Sequence, residues 1–121
     1  DLIGASGSIE GMMAATRRVR ERAPPGTFIQ IEAQTLEEAL GVARAGADSI
    51  LFDNFRPADL KLAVAQVRAL PLDRRLVLEA SGGVNLDTVH AFAQTGVDRI
   101  SIGALTHSAR SLDVTLEIGA A

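Results

Sequence analysis

An apolar run ends in an unusual group of small and polar residues in the stretch LVLEASGGVN, residues 76–85. Ser81 offers a hydroxyl, and the glycines that follow it, Gly82 and Gly83, let backbone N–H groups approach a ligand with no Cβ in the way. Bare N–H groups at the start of a helix bind anions. The stretch therefore predicts a phosphate site, and the competing interpretation is a tight turn without a ligand.

A second loop of the same kind follows the next apolar run. Its sequence, IGALTHS, contains Gly103 and His107. In α/β barrels a phosphate is often held by consecutive loops that follow parallel strands. Ser81 and His107 can then donate a hydroxyl and a ring N–H to the same phosphate. The succession of two such loops favours phosphate binding over two unoccupied turns.

Two carboxylates, Glu32 and Asp53, end two earlier apolar runs. A carboxylate at the end of a buried strand is costly unless it is paired, hydrogen-bonded or bound to a metal. Two of them on neighbouring strands can hold one Mg²⁺ with its waters, or accept hydrogen bonds from a sugar diol. The alternative is that each caps a loop or pairs with an arginine. Glu79 lies one position deeper and is expected to be a buried structural acid.

The elements that must position these residues alternate between strand and helix. Strands are expected at 28–33, 49–52, 75–78, 99–102 and 114–118. Helices are expected at 9–23 after the cap Ser8, from the cap Thr35 to Gly46, from Pro57 to about Leu70, and from the cap Asn85 to Gly96. The pattern predicts one parallel sheet whose first four strands are neighbours in chain order, while the fifth segment is free to leave it.

An internal repeat relates the two halves of the chain. Residues 35–53 align with residues 85–103 at a constant offset, cap on cap and glycine on glycine. Each copy is a helix between two parallel strands. The alignment also equates Glu32 with Gly82. Because ligands bind at the carboxyl ends of parallel strands, all the candidate residues are expected on one face.

Other polar residues are interpreted as structural. Asp48 and Asp98 follow helix-ending glycines and are expected to be turn residues. His90 is expected on a helix surface. The arginines of the first helix are expected to form one solvated face: Arg17, Arg18, Arg20 and Arg22.

The composition limits the class of protein. The 121 residues are 47% hydrophobic with four phenylalanines as the only aromatic residues, which predicts an aliphatic core of helices on a sheet. There is no cysteine, which is compatible with the cytoplasm. The net charge of −3 gives no electrostatic footprint for nucleic acid. No apolar run is long enough to span a membrane, and no signal peptide is expected before the first helix.

Taken together, the motifs resemble one family. The stretches TLEEAL, AGADSILFDNF, LVLEASGGVNLDTV and TGVDRISIGALTHSARSLDVTLEI are similar to the carboxyl-terminal half of nicotinate-nucleotide pyrophosphorylase (carboxylating), also called quinolinate phosphoribosyltransferase. The resemblance extends over nearly the whole chain from about Ile3. The combination of these motifs is specific to that family.

The resemblance implies a fold and an activity. The fold is an incomplete, TIM-like α/β barrel with parallel strands, and residues 1–121 correspond to its carboxyl-terminal part. An amino-terminal sandwich domain and the first barrel strands are then expected outside this chain. The family is a pentosyltransferase of NAD biosynthesis that converts quinolinate and phosphoribosyl pyrophosphate, with Mg²⁺, into nicotinate mononucleotide, CO₂ and pyrophosphate. It is expected to be a cytoplasmic dimer.

The resemblance also implies residue roles. Glu32 and Asp53 are implied to act in catalysis by holding the ribose hydroxyls and the metal. The 5′-phosphate is implied to bind Ser81, Gly82, Gly83, Gly103 and His107.

The chain departs from the family in two respects. Gln30 stands where the family usually has the first of two glutamates. The basic cluster for the pyridine dicarboxylate is expected upstream of Asp1, so that the chain alone is expected to be inactive. Its active face offers only three basic candidates: Arg56, His107 and Arg110.

Two alternatives remain beside the resemblance. One is a non-catalytic, truncated or engineered half-barrel that binds phosphate or oligomerises. The other is the molybdenum-transport-associated paralogue, which usually lacks the EASGG and GALTHS motifs.

Overall fold

The computed structural model describes residues 8–105 and 111–119, with the backbone alone described at 104, 105 and 111–113. Four helices and five strands alternate in this part of the chain. In order they are α1 (Ile9–Arg22), β1 (Gln30–Ala33), α2 (Leu36–Ala45), β2 (Ser49–Asp53), α3 (Pro57–Arg68), β3 (Val77–Ser81), α4 (Val89–Ala93), β4 (Arg99–Leu105) and β5 (Ser111–Glu117).

The strands form one sheet in the order β1-β2-β3-β4-β5. The first four are parallel neighbours, which confirms the predicted order. The fifth stays in the sheet and runs antiparallel to β4 over seven paired positions, from Arg99↔Glu117 to Leu105↔Ser111. The expectation that it could leave the sheet is therefore wrong, because its backbone completes the ladder along the free edge of β4.

The predicted helix starts are confirmed for the first three helices. Ser8 Oγ accepts a hydrogen bond from Gly11 N at 3.0 Å, and Thr35 Oγ1 accepts one from Glu38 N at 3.1 Å. Pro57 occupies the first turn of α3. These side chains satisfy N–H groups that have no partner within the helix.

The fourth helix is shorter than predicted. Asn85 Oδ1 accepts hydrogen bonds from Asp87 N and Thr88 N, as a cap would, but the segment forms a turn and α4 begins only at Val89. The helix has five residues and ends before Gly96. The expectation that Asn85 caps a helix of full length is therefore wrong.

Alternation along the strands sends apolar side chains to one face of the sheet and polar ones to the other. The apolar face packs against the helices and contains the core residues Ile31, Ala33, Ile50, Phe52, Leu78, Ala80, Ile100 and Ile102. Phe52 is fully buried and meets Phe55 edge to face, with ring centroids 5.2 Å apart. The opposite face, here called the inner face, bears Gln30, Glu32, Leu51, Asp53, Glu79, Ser81, Ser101 and Gly103, all half-buried or exposed.

Two aspartates brace the amino ends of the strands. Asp48 Oδ2 accepts a hydrogen bond from Ile29 N at 2.8 Å and pairs with the Arg20 guanidinium. Arg20 also donates to Gly46 O and Thr27 O. Asp48 lies in the bend between α2 and β2, as predicted, and it also ties α1 to the sheet. The expectation that Arg20 belongs to a solvated face is wrong, because its guanidinium is held by Asp48, Gly46 O and Thr27 O.

The second brace repeats this arrangement. Asp98 Oδ2 accepts from Leu78 N at 2.8 Å and from Arg68 at 2.7 Å, while Oδ1 accepts from Arg75 at 2.8 Å. Burial by itself would raise the pKa of Asp98, but Arg75, Leu78 N–H and Arg68 outweigh burial, so the pKa lies below its ordinary value. Asp98 therefore lies in a bend, as predicted, and is in addition a structural acid.

Candidate functional site

The two candidate acids converge at the carboxyl ends of β1 and β2. Glu32 lies on β1, one residue before the strand ends, and Asp53 is the last residue of β2. A hydrogen bond to the Asp53 side chain raises the pKa of Glu32, and burial and the Asp53 charge add to this effect. The two carboxyl groups therefore lie close to each other at this end of the sheet.

The glycine loop lies directly beside this acid pair. Ser81 ends β3 and is the register partner of Asp53. Gly82 and Gly83 both have left-handed backbones, with φ of 77° and 74°. Ser81 Oγ makes no hydrogen bond within the part of the chain that the structure describes.

The structure gives a steric reason for glycine at position 82 that the sequence did not predict. A Cβ built on Gly82 would lie 2.7 Å from Asp53 Oδ1 and 2.9 Å from Asn54 N. These distances are shorter than real Cβ atoms tolerate. Gly82 is therefore required for close approach of the loop to the end of β2, in addition to any room it leaves for an anion.

The helix contribution to the predicted anion site is also corrected. The sequence interpretation placed a helix N-terminus directly behind the glycines. Because α4 begins at Val89 and has five residues, that N-terminus is not adjacent to Gly83. Any anion at this loop would have to rely on local backbone N–H groups and on Ser81.

The second predicted loop is described only at its start. Gly103 lies within β4 rather than at its end, because Ala104 and Leu105 continue the strand. It is exposed and shares the inner face with Ser101. His107 and Arg110 lie outside the described residues.

A polar network crosses the inner face beneath the acids. Gln30 Nε2 lies 3.0 Å from Ser49 Oγ and 3.4 Å from Glu79 Oε1, and donates a hydrogen bond to each. Ser101 Oγ donates to Glu79 Oε2 at 2.5 Å. Glu79 is thus held by partners from β1 and β4, as a structural acid would be, but it is half-buried rather than buried as predicted. The amide at position 30 gives Glu79 a donor where a glutamate would place a second carboxylate.

The strands that precede the two repeated helices, β1 and β3, correspond at an offset one residue smaller than the rest of the repeat. Gln30 pairs with Ser49, and Glu79 pairs with Arg99. Gln30 therefore corresponds to Glu79, and Glu32 corresponds to Ser81. The predicted equivalence of Glu32 with Gly82 is wrong by that one residue, although the match of 35–53 with 85–103 stands.

Sequence reasoning missed Asn54. It has a positive φ of 65°, and its N–H donates to Ser81 O at 2.9 Å. Asparagine after a strand is a weak signal for this backbone conformation, since most asparagines adopt others.

The remaining charged candidates have simpler positions. Arg56 is exposed and pairs with Asp59 on the surface at 3.0 Å. His90 is on the exposed face of α4 near Gln94, as predicted. Within residues 8–105 and 111–119 no three acidic or histidine side chains form a cluster that could hold a metal by themselves. The pair of carboxylates suits Mg²⁺, which usually takes one or two carboxylates and completes its shell with waters and substrate oxygens.

Comparison with known proteins identifies the family. The family model described as quinolinate phosphoribosyl transferase, C-terminal domain, matches residues 2–117. The chain belongs to this family. The predicted resemblance is confirmed, and so is an α/β fold with a mostly parallel sheet.

Curated relatives of the quinolinate phosphoribosyl transferase family agree with this assignment. The chain is 35% identical over 116 residues to the probable nicotinate-nucleotide pyrophosphorylase (carboxylating) of Methanothermobacter thermautotrophicus, covering 96% of this chain and 40% of the relative. It is 39% identical over 115 residues to nicotinate-nucleotide pyrophosphorylase (carboxylating) of Rattus norvegicus, covering 94% of this chain and 36% of the relative. The chain thus spans about two-fifths of the length of these relatives.

Solved structures of the family share the fold. NadC from Streptococcus pyogenes superposes with a TM-score of 0.71 at 30% identity, over 95% of this chain and 38% of that one. Nicotinate-nucleotide pyrophosphorylase from Ehrlichia chaffeensis gives a TM-score of 0.70 at 35% identity, over 92% of this chain and 37% of that one. None of the helices in the described residues combines the length and apolar character needed to cross a membrane.

Proposed function

We propose that this chain carries the ribose-phosphate half of a quinolinate phosphoribosyltransferase site. The full reaction would transfer phosphoribose from phosphoribosyl pyrophosphate to quinolinate, with loss of CO₂, and give nicotinate mononucleotide. The observation that carries the proposal is the convergence of the Glu32–Asp53 pair and the Ser81–Gly82–Gly83 loop at one end of the sheet. The names of the relatives favour this activity over that of the molybdenum-transport-associated paralogue.

In this proposal the two halves of the site bind different parts of one sugar phosphate. Glu32 and Asp53 accept hydrogen bonds from the ribose hydroxyls. The backbone N–H groups of Gly82, Gly83 and Gly103 and the Ser81 hydroxyl bind the 5′-phosphate, and His107 is proposed to join them. The described residues place no group as a nucleophile or general base, so their contribution is to position the sugar and to stabilise positive charge that develops on its ring.

Glu32 and Asp53 would also hold Mg²⁺. A hydrogen bond with the Asp53 side chain, burial and the Asp53 charge, in that order, raise the pKa of Glu32, and a cation between the two carboxylates would offset the repulsion between their charges. When bound, Mg²⁺ would neutralise charge on the pyrophosphate. The pyridine dicarboxylate would need arginines and lysines from outside this chain, as its relatives are more than twice as long.

The substitution Asp53→Asn, made in a full-length enzyme that contains this chain, should lower kcat/KM by at least about tenfold, which corresponds to about 1.4 kcal/mol of transition-state stabilisation. The amide has the same size but loses the charge that the ribose and the metal require. Steady-state kinetics with quinolinate and phosphoribosyl pyrophosphate measure the change. Asp59→Asn is the matched control, because Asp59 pairs with Arg56 on the surface. Unchanged kinetics in Asp53→Asn would make Asp53 a loop cap.

A second candidate function is self-association of a half-barrel. The inner face is polar and uncovered in the described residues, and β1 and β5 are the edges of the sheet. Val114 and Leu116 on β5 are 38% and 37% exposed. Free edges and exposed apolar side chains favour pairing with another chain.

We expect this chain to form dimers or larger oligomers in solution. Sedimentation velocity over a range of concentrations measures its mass against the monomer mass of 12.7 kDa. Replacing Val114 and Leu116 with lysine should shift the distribution towards the monomer, because charged side chains on an edge strand oppose pairing. A folded monomer at high concentration in the unmodified chain would contradict the expectation.

A further inference from the structure

Asn54 adopts a backbone conformation that requires an explanation. It is the one non-glycine residue with a positive φ among the residues that the structure describes. The left-handed region is disfavoured for residues with a Cβ, although asparagine tolerates it better than most. Such a conformation persists only where the surroundings hold it in place, and its contacts indicate what it serves.

The first contact joins the ends of two strands. The N–H of Asn54 donates a hydrogen bond to Ser81 O, at 2.9 Å. Asp53, the preceding residue, is the register partner of Ser81. The segment that leaves β2 is therefore bonded to the last residue of β3 at the point where both strands end.

The second contact joins this turn to the glycine loop. A Cβ on Gly82 would lie 2.9 Å from Asn54 N and 3.2 Å from Asn54 Cα, so the two backbones are already in van der Waals contact. A Cβ on Gly83 would lie 3.8 Å from Asn54 Oδ1. Asn54 is exposed to solvent on its outer side, and its backbone borders Gly82 while its side chain lies near Gly83.

We infer that Asn54 is a positioning residue that fixes the separation between the Asp53 carboxylate and the Gly82–Gly83 backbone. The inference rests on the proposed function, in which the acid pair binds ribose and the glycines bind its phosphate. A ligand that contacts both the carboxylate and the glycine backbone binds more tightly if the fold already holds them at the right distance, because no binding free energy is then spent on arranging them. The affinity of a ligand that contacts the glycines alone does not depend on that distance.

Two probes separate these cases. Ribose 5-phosphate carries both a diol and a phosphate and can reach both groups. Inorganic phosphate can reach only the glycine loop. The ratio of the two affinities, measured by calorimetry in the presence of Mg²⁺, therefore reports whether the acid pair and the loop are held together.

Two substitutions of Asn54 separate the backbone from the side chain. Asn54→Val disfavours the left-handed backbone, because a β-branched residue rarely adopts it. Asn54→Gly keeps that backbone at little cost. We expect Asn54→Val to lower the preference for ribose 5-phosphate over phosphate by about tenfold, and Asn54→Gly to leave it within about threefold of wild type.

The outcomes distinguish the inference from the proposed function. If Asn54→Val keeps the wild-type preference, Asn54 does not set the separation and the inference fails, while the proposed ligand stands. If Asn54→Gly loses as much as Asn54→Val, the backbone argument is wrong. If the unmodified chain binds neither probe, the proposed function fails and the inference with it. Circular dichroism melting checks that each variant folds, and Asn54→Ala replaces Asn54→Val in the comparison if the latter does not.

Discussion

Replacing Gly82 with alanine should destabilise the fold by about 3 kcal/mol, which is more than a left-handed backbone alone would cost. The positive φ contributes roughly 1 to 2 kcal/mol. The rest comes from the new Cβ, which would lie 2.7 Å from Asp53 Oδ1 and 2.9 Å from Asn54 N. Because Asn54 N is backbone, the loop or the end of β2 must move. Urea unfolding followed by circular dichroism measures the loss.

Gly26→Ala is the matched control for this substitution. Gly26 has a similar φ of 87°, but a Cβ built there meets no atom within 4 Å. Gly26→Ala should therefore lower the free energy of unfolding only by the cost of the left-handed backbone, roughly 1 to 2 kcal/mol. If both variants lose the same free energy of unfolding, the close approach of Gly82 to β2 has no energetic weight. Gly82→Val should be worse than Gly82→Ala, since β-branched residues tolerate a positive φ least.

Replacing Asp98 with asparagine should lower the free energy of unfolding at pH 7 by about 2 to 3 kcal/mol. The substitution keeps the size of the side chain but removes the charge that accepts from Arg68 and Arg75. The Asp98 side chain is only 18% exposed, so water compensates for little of this loss. Asp73→Asn is the control, because Asp73 is 95% exposed and lies 3.6 Å from its partner. If Asp98→Asn lowers the free energy of unfolding no more than Asp73→Asn does, Asp98 does not stabilise the fold through Arg68 and Arg75.

The pH dependence of stability has a definite sign. Burial by itself would raise the pKa of Asp48, but hydrogen bonds from Ile29 N–H and Arg20 outweigh burial and hold this pKa below its ordinary value of 3.8. The pKa of Asp98 is lowered in the same way. A depressed pKa in the fold means that the stabilisation is complete above about pH 4 and is lost as the pH falls further. Acid unfolding of Asp98→Asn should therefore be shallower than that of wild type below that pH. Equal slopes would show that Asp98 titrates alike in the folded and unfolded chain.

The sequence was sufficient for the order and direction of the first four strands. The signals that predicted them are local: alternating apolar runs, Ser8 and Thr35 as helix caps, and Pro57 in a first turn. The structure confirms both caps and the position of Pro57. The location of the acids and of Ser81 at one end of the sheet follows from parallel strands. These predictions needed no contact between distant residues.

The errors arise where distant residues decide the structure. Asp48 follows a glycine as a turn residue would, and its role becomes visible only when Arg20 from α1 reaches it. The third strand begins at Val77 and runs to Ser81, three residues beyond the predicted end at Leu78. Its polar residues face the uncovered side of the sheet, so no change in composition marks the boundary. The direction of β5 depends on the ladder with β4, which no local pattern encodes.

The positions of the two aspartate braces have a practical consequence for protein engineering. Asp48 and Asp98 lie at the amino ends of their strands, whereas Glu32, Asp53 and Ser81 lie at the carboxyl ends. Substitutions that improve thermal tolerance can therefore be sought around the braces without contact with the groups proposed to bind the ligand. Conversely, a library that diversifies the loops after β1 and β3 would leave both braces intact. The sheet thus places the two braces at the opposite end from the proposed ligand-binding residues, so each end can be varied without touching the other, provided that Gly82 is kept for the stability of its own loop.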